Sequence, residues 1–442
     1  MSKFVRLFVS LLVVLCLVSA MAACGGASST GTKAKGEPVK LTIWINGSDS
    51  YIGPDEQKKP QEEWYISKAF KRFEAENPGV TIELTVPPDP AEAHQTFKAA
   101  GLAKNAPDIA NLWSGQNIFA LKDVIAPLDG KVPKEDLENM MGWDTVRLGF
   151  KDDGSILGYP SSDNQLCFYL YNKKIISDAG LDFENNPPRT REDFDAAMEK
   201  IKAKNVTPIV LSESFPYYFC WIGAYWWVQT SGVESILKSC AGETKFADDK
   251  GLIDALAYYN SLWEKGYINK DAATSADAWN QFLQGKAAMT AQVSSVLSDA
   301  VAALGEDNVG LLKPQEFAAD TKIKDGILGG PGQCLVVANS SKNIDMAVKF
   351  LHFLSSKKEV LEFLKVQQKV PVRKDITADE IGLKAGSPAA KLFSWSKDYV
   401  YFVDNQLTPS IAEEFYKLPT LVLVGKMTPQ EMAAEMDKKA GK

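Results

Sequence analysis

The sequence is poor in histidine, which restricts the chemistry available to it. Of 442 residues only two are histidine, His94 and His352, and each lies on a predicted helix among charged or polar neighbours, where we expect a surface position. Without a histidine near a candidate serine or cysteine, the usual nucleophile and base of a hydrolase are incomplete. The motifs G-x-S-x-G, H-E-x-x-H and G-x-x-x-x-G-K-[ST] are also absent. We therefore expect no enzyme, with one alternative left open: a glycan-acting hydrolase needs only two carboxylates.

Cysteines are also few, and their spacing indicates no metal site. Two of the six fall near the N-terminus, and the other four are Cys167, Cys220, Cys240 and Cys334. No C-x-x-C occurs, so we expect no metal; buried free thiols are the simpler interpretation, with a Cys220 to Cys240 disulfide as the alternative. The glycines near residue 330 lack the G-x-G-x-x-G spacing, so no dinucleotide and no other cofactor is predicted.

Positive charge is in deficit, since 49 basic residues face 56 acidic ones and the formal net charge is −7. This balance argues against a nucleic-acid partner and against a basic grip on a membrane surface. Beyond the N-terminal segment, charges interrupt every apolar run before it reaches a membrane-spanning length.

The N-terminal segment has the three parts of an export signal. Lys3 and Arg6 precede an apolar run over residues 7–20, and the small residues Ala22 and Ala23 precede Cys24. This ending resembles the lipobox of bacterial lipoproteins, in which the cysteine sulfur is acylated and becomes the mature N-terminus. The resemblance implies a signal peptide over 1–23, lipidation at Cys24 and a lipid-anchored protein outside the cell membrane. An uncleaved anchor is the alternative. Residues 24–37, rich in Gly and Ser, predict a flexible linker.

After the linker, strands and helices alternate, which indicates an α/β fold with a largely parallel sheet. "VKLTIWIN" predicts a strand, "EEWYISKAFKRFEAEN" a helix that buries Phe73, and "GVTIELTVP" a second strand. Further along, Thr190 and Asp193 resemble a helix start, Asp248 is predicted to cap another helix, and Thr428 opens the last one. The length exceeds what one hydrophobic core supports, so two lobes are expected.

Aromatic residues cluster where predicted strands end. Trp44 closes the first strand before "NGSDS", which includes Asp49, and Trp113 closes the strand after "APDI". Ligands of open α/β sheets bind outside the carboxyl ends of the strands. "FPYYFCWIGAYWW" adds six tyrosines and tryptophans, for most of which a core position is at least as good an interpretation. Flat rings next to Asn, Gln, Asp and Ser suit a sugar, because its C–H faces stack and its hydroxyls need fixed partners.

Many short stretches together resemble the carbohydrate-binding lipoproteins of ABC importers, the solute-binding proteins related to maltose-binding protein. Among them are "FKRFEAENPGVTIEL", "KAAGLAKNAPDIANLW", "GYPSSDNQLCFYLYNKKIISDAGLD", "FLQGKAAMT" and "GKMTPQEM", in the family's order. The resemblance implies a two-lobed periplasmic-binding-protein fold, a Venus flytrap with crossover strands at the hinge. It places lobe one at 38–162 and 331–372, and lobe two at 163–330 and 373–442. It also implies a monomer that captures a sugar and delivers it to ABC permease subunits.

The resemblance further implies a set of ligand-binding residues. In lobe one and at the crossovers these are Trp44, Asp49, Trp113, Gln116, Asn117, Asp163, Asn164, Gln165, Gly330 and Gln333. In lobe two they are Glu213, Tyr217, Trp279, Gln292 and Trp395, of which Trp395 resembles a stacking tryptophan of the last helical part.

The sequence departs from the family pattern after "GKAAMTAQ", where many relatives have a Gly and a sugar-stacking Trp and this chain has "VSSVLSD". Gln292 or Ser295 is expected to hydrogen-bond there instead, and either Trp279 or an aromatic of 221–227 to supply the missing ring. A non-sugar ligand such as a peptide or polyamine stays open. A polyamine would need an acidic cleft, for which Asp163, Glu213 and Asp404 are candidates.

Overall fold

In the computed structural model the described residues are 38–45, 51–87, 90–212, 217–317, 319, 321, 323–367 and 369–441. Cys24, Asp49 and Glu213 lie outside them. Residues 38–442 form one compact unit. Within the described part of the chain, no helix is long and apolar enough to cross a membrane.

The strands fall into two sheets. In chain order they are β1 (Val39–Trp44), β2 (Val80–Thr85), β3 (Ile109–Trp113), β4 (Tyr159–Pro160), β5 (Asp163–Asn172), β6 (Thr207–Ile209), β7 (Ala287–Val293), β8 (Val309–Leu312), β9 (Leu328–Gly330), β10 (Gln333–Val337), β11 (Val370–Pro371) and β12 (Val400–Tyr401). The first sheet has the order β2-β1-β3-β10-β4, and the second has the order β12-β9-β5-β7-β6, with β8 and β11 also paired to β5.

Helices connect and cover these strands. They are α1 (Pro54–Gln57), α2 (Tyr65–Glu76), α3 (Pro90–Leu102), α4 (Gln116–Phe119), α5 (Lys134–Asn139), α6 (Lys173–Asp178), α7 (Arg191–Lys202), α8 (Ala224–Ser231), α9 (Val233–Cys240), α10 (Lys250–Glu264), α11 (Ala278–Leu283), α12 (Leu297–Leu304), α13 (Ile344–Ser355), α14 (Lys357–Gln367), α15 (Pro388–Trp395), α16 (Val403–Gln406), α17 (Pro409–Lys417), α18 (Pro419–Leu423) and α19 (Pro429–Lys439). The alternation of both element types confirms the α/β class.

The first sheet is parallel where strand and helix alternate and antiparallel where the chain returns late. β1 pairs in parallel with β2 and β3, whereas β10 runs antiparallel to β3 and β4. Leu41 and Ile43 of β1 are buried, and Phe73 of α2 packs edge-on against Phe350 of α13 with ring centroids 5.1 Å apart. The alternating strand and the apolar helix face predicted from the sequence therefore build this core.

The second sheet is organised by β5, which is covered on both faces. Cys167, Tyr169 and Tyr171 belong to one buried cluster, and Leu166, Phe168 and Leu170 belong to another. Because side chains alternate along a strand, a strand buried on both faces has a continuous apolar sequence, as "LCFYLY" does. At its start, β5 pairs with β11 and β9, so the three chain passages between the sheets meet there.

Helix starts follow the predicted caps, with one exception. The Thr190 and Thr428 side chains each accept a hydrogen bond from the third residue of their helix, completing capping boxes. The predicted cap Asp248 is wrong. The cap of α10 is Asp249, whose Oδ1 accepts from the Leu252 N–H, while its carboxylate also accepts from the Trp227 indole at 2.9 Å.

All four cysteines in the described part of the chain are free thiols, so Cys220 and Cys240 do not form a disulfide. Cys167, Cys220 and Cys334 are buried, and Cys240 is half-buried. Burial raises the pKa of each, in the case of Cys240 to about 12. These thiols are therefore inert packing groups.

Candidate functional site

A cavity of about 220 Å³, here called the cleft cavity, is lined by elements of both sheets. Its lining residues are Trp113, Gln165, Tyr217, Trp221, Ser295, Gly332, Gln333, Phe402, Asp404, Asn405 and Tyr416. Four of these, Trp113, Gln165, Tyr217 and Gln333, are among the ligand-binding residues expected from the sequence. Ser295 and Trp221 belong to the alternatives left open for lobe two.

Trp113 supplies the wall on the side of the first sheet. It ends β3, and its backbone N–H donates to Nε2 of His94 at 2.9 Å, with the two rings 5.2 Å apart. Burial lowers the pKa of His94 to about 4, so the imidazole is neutral and Nε2 is free to accept. The surface position expected for His94 is therefore wrong, since its ring is half-buried and contacts Trp113. Gln333 is the antiparallel partner of Trp113 at the start of β10.

Aromatic residues supply the opposite wall. Tyr217 and Trp221 stack with centroids 5.5 Å apart and 19° between planes, and Tyr416 meets Tyr217 edge-on at 5.5 Å. Trp221 lies on a π-helical turn, Phe219–Gly223, that leads into α8. Such turns are rare and often occur at functional sites, because the wider turn re-aims side chains.

Asp404, on α16, is the charged residue of the cleft cavity among the described lining residues. It is 9% exposed, and its Oδ2 accepts a hydrogen bond from the Tyr416 hydroxyl at 2.9 Å. Its Oδ1 has no hydrogen-bond partner within the described part of the chain. Burial raises the pKa of Asp404 to about 6, because a carboxylate loses its hydration there.

The loop after β3 contacts the segment that carries Asp404. Ser114 Oγ and the Tyr401 hydroxyl are 2.6 Å apart, and Asn117 Nδ2 donates to Ser114 O and to Asn405 Oδ1. Gly115 has φ +67°, and a Cβ there would overlap the Asn405 carbonyl oxygen. Asn117, whose amide makes this contact, is not among the residues that line the cavity. Gln116 is half-buried at the start of α4 and does not line the cavity either.

At the first crossover, Gln165 lines the cavity and its two predecessors do not. Asp163 is 1% exposed and its Oδ2 lies 3.7 Å from Lys369 Nζ. Asn164 Nδ2 donates to the Pro371 carbonyl at 3.2 Å. Asp163 and Asn164 thus contact Lys369 and Pro371, at and just before β11, and hold the crossovers together. At the second crossover, Gly332 rather than the expected Gly330 borders the cavity.

The remaining expected site residues lie elsewhere. Trp279 and Gln292 line a second cavity, of about 290 Å³, with Tyr218 and Thr290. Trp395 lines a third, of about 190 Å³, in which Lys313 Nζ and Lys391 Nζ lie 5.4 and 5.5 Å from its ring centroid. Trp44 is half-buried against the core of the first sheet. Trp395 therefore does not stack in the cleft cavity, and Phe402, Asp404 and Tyr416 supply the late-chain contribution instead.

Sequence reasoning named Asp404 only as one of three acids that could make a cleft acidic, and it missed Phe402 and Tyr416, because their signal is weak. "YVYFVDNQ" places an acid among aromatics after a two-residue strand, β12, which is too short to be recognised by periodicity.

Comparison with known proteins gives three findings. The family described as bacterial extracellular solute-binding protein matches residues 68–387. The multiple sugar-binding protein of Streptococcus mutans is 24% identical over 366 residues, 78% of this chain and 80% of that protein. The sn-glycerol-3-phosphate-binding periplasmic protein of Brucella melitensis is 26% identical over 219 residues, 47% of either chain.

Among solved structures, a chitin oligosaccharide binding protein superposes with a TM-score of 0.75 at 23% identity, covering 92% of this chain and 99% of that one. This likeness confirms the two-lobed α/β fold.

Proposed function

Because the chain belongs to the family of bacterial extracellular solute-binding proteins, whose match spans most of it, we propose that it captures a carbohydrate in the cleft cavity and delivers it to the permease of an ABC importer. The relatives are solute-binding proteins, and the family acts outside the cytoplasm. In this proposal the protein has the two lobes expected from the sequence. Lobe one comprises residues 38–162 and 331–372, and lobe two comprises residues 163–330 and 373–442.

The composition of the cleft cavity carries this proposal. Trp113 faces it from one lobe and the Tyr217–Trp221 stack from the other, while Gln165 and Gln333 supply amide groups. Rings bind the C–H faces of a sugar and amides bind its hydroxyls. A ligand that contacts both lobes stabilises their closure, since it binds the closed form more tightly than the open form.

A phosphate-bearing ligand, as in the name of the sn-glycerol-3-phosphate-binding relative, suits this cavity less well. Among its described lining residues there is no Lys, Arg or His, and Asp404 would repel an anion. A neutral or cationic saccharide meets no such repulsion.

The test is a calorimetric titration of the purified protein with a panel of mono- and oligosaccharides, followed by Trp113→Ala. We expect the variant to lose affinity roughly tenfold or more, as truncation of a central aromatic contact does. Trp395→Ala is the matched control, because Trp395 is also half-buried but lines another cavity. A Trp113→Ala protein that binds its saccharide as tightly as the parent would contradict the proposed site.

The anchoring part of the proposal rests on Cys24. Acylation of its sulfur would hold the binder at the membrane and so raise its concentration near the permease. A labelled fatty acid is then expected to be incorporated into the parent protein and not into the Cys24→Ser variant. A parent protein that stays in the membrane fraction without incorporating the label would favour the alternative of an uncleaved anchor. The binder is proposed to act as a monomer, which light scattering of the purified protein tests.

A further inference from the structure

We propose that the ligand carries a protonated amine, and that the Asp404 carboxylate pairs with this ammonium group in the cleft cavity. The inference rests on the proposed function and narrows it to an aminated saccharide. It goes beyond sugar binding in general, because it concerns the charge of one substituent.

The first observation is a buried carboxylate without a charged partner. Asp404 is 9% exposed, and no Lys, Arg or His within the described residues forms an ion pair with it. One of its oxygens accepts from the Tyr416 hydroxyl and the other has no hydrogen-bond partner in the described structure. A buried carboxylate of this kind is costly, and the cost is recovered when a cation binds.

The second observation is that, among the described residues, the titratable side chains around Asp404 do not change charge near neutral pH. The titratable side chains that face it are Cys167, Cys220, Tyr401 and Tyr416, and burial raises the pKa of each above its usual range. All four are therefore uncharged. The negative charge of Asp404 is left for the ligand to neutralise.

The third observation is the set of rings around the same cavity. Trp113, Phe402 and Tyr416 line it together with the stacked Tyr217 and Trp221. Aromatic faces attract ammonium groups through the ring quadrupole, most strongly when water is excluded. Aromatic rings alone would stack on any sugar, and a carboxylate alone would accept a hydrogen bond from any donor group of a ligand. Their combination around one cavity favours a ligand with an apolar ring face and a positive charge.

The experiment compares three disaccharides that differ only at C2 of each ring: chitobiose with a free amine, N,N′-diacetylchitobiose with an acetamide, and cellobiose with a hydroxyl. Glucosamine, N-acetylglucosamine and glucose form a second matched set. At pH 7 we expect an amine-bearing ligand to bind roughly tenfold tighter than its hydroxyl counterpart, as one charge-assisted hydrogen bond predicts. Asp404→Asn should abolish this preference. Asp398→Asn, an exposed acid on the preceding segment, should retain it.

Each outcome separates this inference from the function on which it rests. If saccharides bind with no preference for the amine, the proposed function stands and the role of Asp404 is refuted. If no saccharide binds but spermidine does, and Asp404→Asn abolishes that binding, the sugar assignment fails and the cation site stands. If neither saccharides nor spermidine bind, both proposals are overturned.

Discussion

Replacing Asp404 with asparagine should stabilise the ligand-free protein near neutral pH. Asparagine is uncharged and can still accept the Tyr416 hydroxyl hydrogen bond. The pKa of Asp404 is raised to about 6 by burial, so the folded protein binds this proton more tightly than the unfolded chain does. The stabilisation that protonated Asp404 contributes to the folded protein is therefore complete below about pH 4 and is lost as the pH rises through about 6.

The size of the effect follows from the two pKa values. The pKa of Asp404 is about 3.9 in the unfolded chain and about 6 in the folded protein. Ionisation of Asp404 therefore lowers the free energy of unfolding by about 3 kcal/mol at pH 7.5 and by about 1 kcal/mol at pH 4.5. Asp404→Asn should gain these amounts relative to the parent, as measured by urea unfolding at each pH. The exposed Asp398→Asn should change little at either pH. If the Asp404→Asn protein is no more stable than the parent at pH 7.5, the claim that Asp404 is a buried charge without a charged partner is refuted.

Three further predictions concern the scaffold around the site. Gly115→Ala should lower the melting temperature more than Gly79→Ala, because both glycines have positive φ but only a Cβ at Gly115 meets the facing backbone; equal shifts would contradict that contact. Asp249→Ala should cost roughly 2 kcal/mol or more in urea unfolding, since it removes a helix cap and a hydrogen bond to a buried indole, whereas Asp248→Ala should cost less than about 0.5 kcal/mol. Thr428→Ala should lower the unfolding free energy by about 1 kcal/mol through loss of its capping box, and an unchanged value would argue that the last helix begins elsewhere.

Local patterns predicted the elements well because the physics that forms them is local. The alternation of Leu41 and Ile43 and the capping box at Thr190 depend on residues a few positions apart. The predicted cap of α10 was one residue too early, because the sequence alone does not distinguish Asp248 from Asp249. The indole of Trp227, 22 residues away, distinguishes them only in the folded chain.

The site was predicted less completely because its residues are assembled from distant segments. Among the neighbours Asp163, Asn164 and Gln165, the sequence does not tell which side chain faces the cavity. The pairing of β5 with β11 decides it by engaging the first two. Asp404 becomes a site residue through Tyr416 and through rings from far earlier in the chain, and no local pattern encodes that proximity.

The inert thiols described above have a practical consequence for labelling. The four described cysteines are free, three of them are buried, and the pKa of every one is raised, so maleimide reagents that need a thiolate should leave them unmodified in the folded state. One cysteine introduced on the surface of each lobe would then react selectively. A dye pair at such positions would report the distance between the lobes as ligand is added, and would turn the protein into a fluorescent sensor of its own substrate.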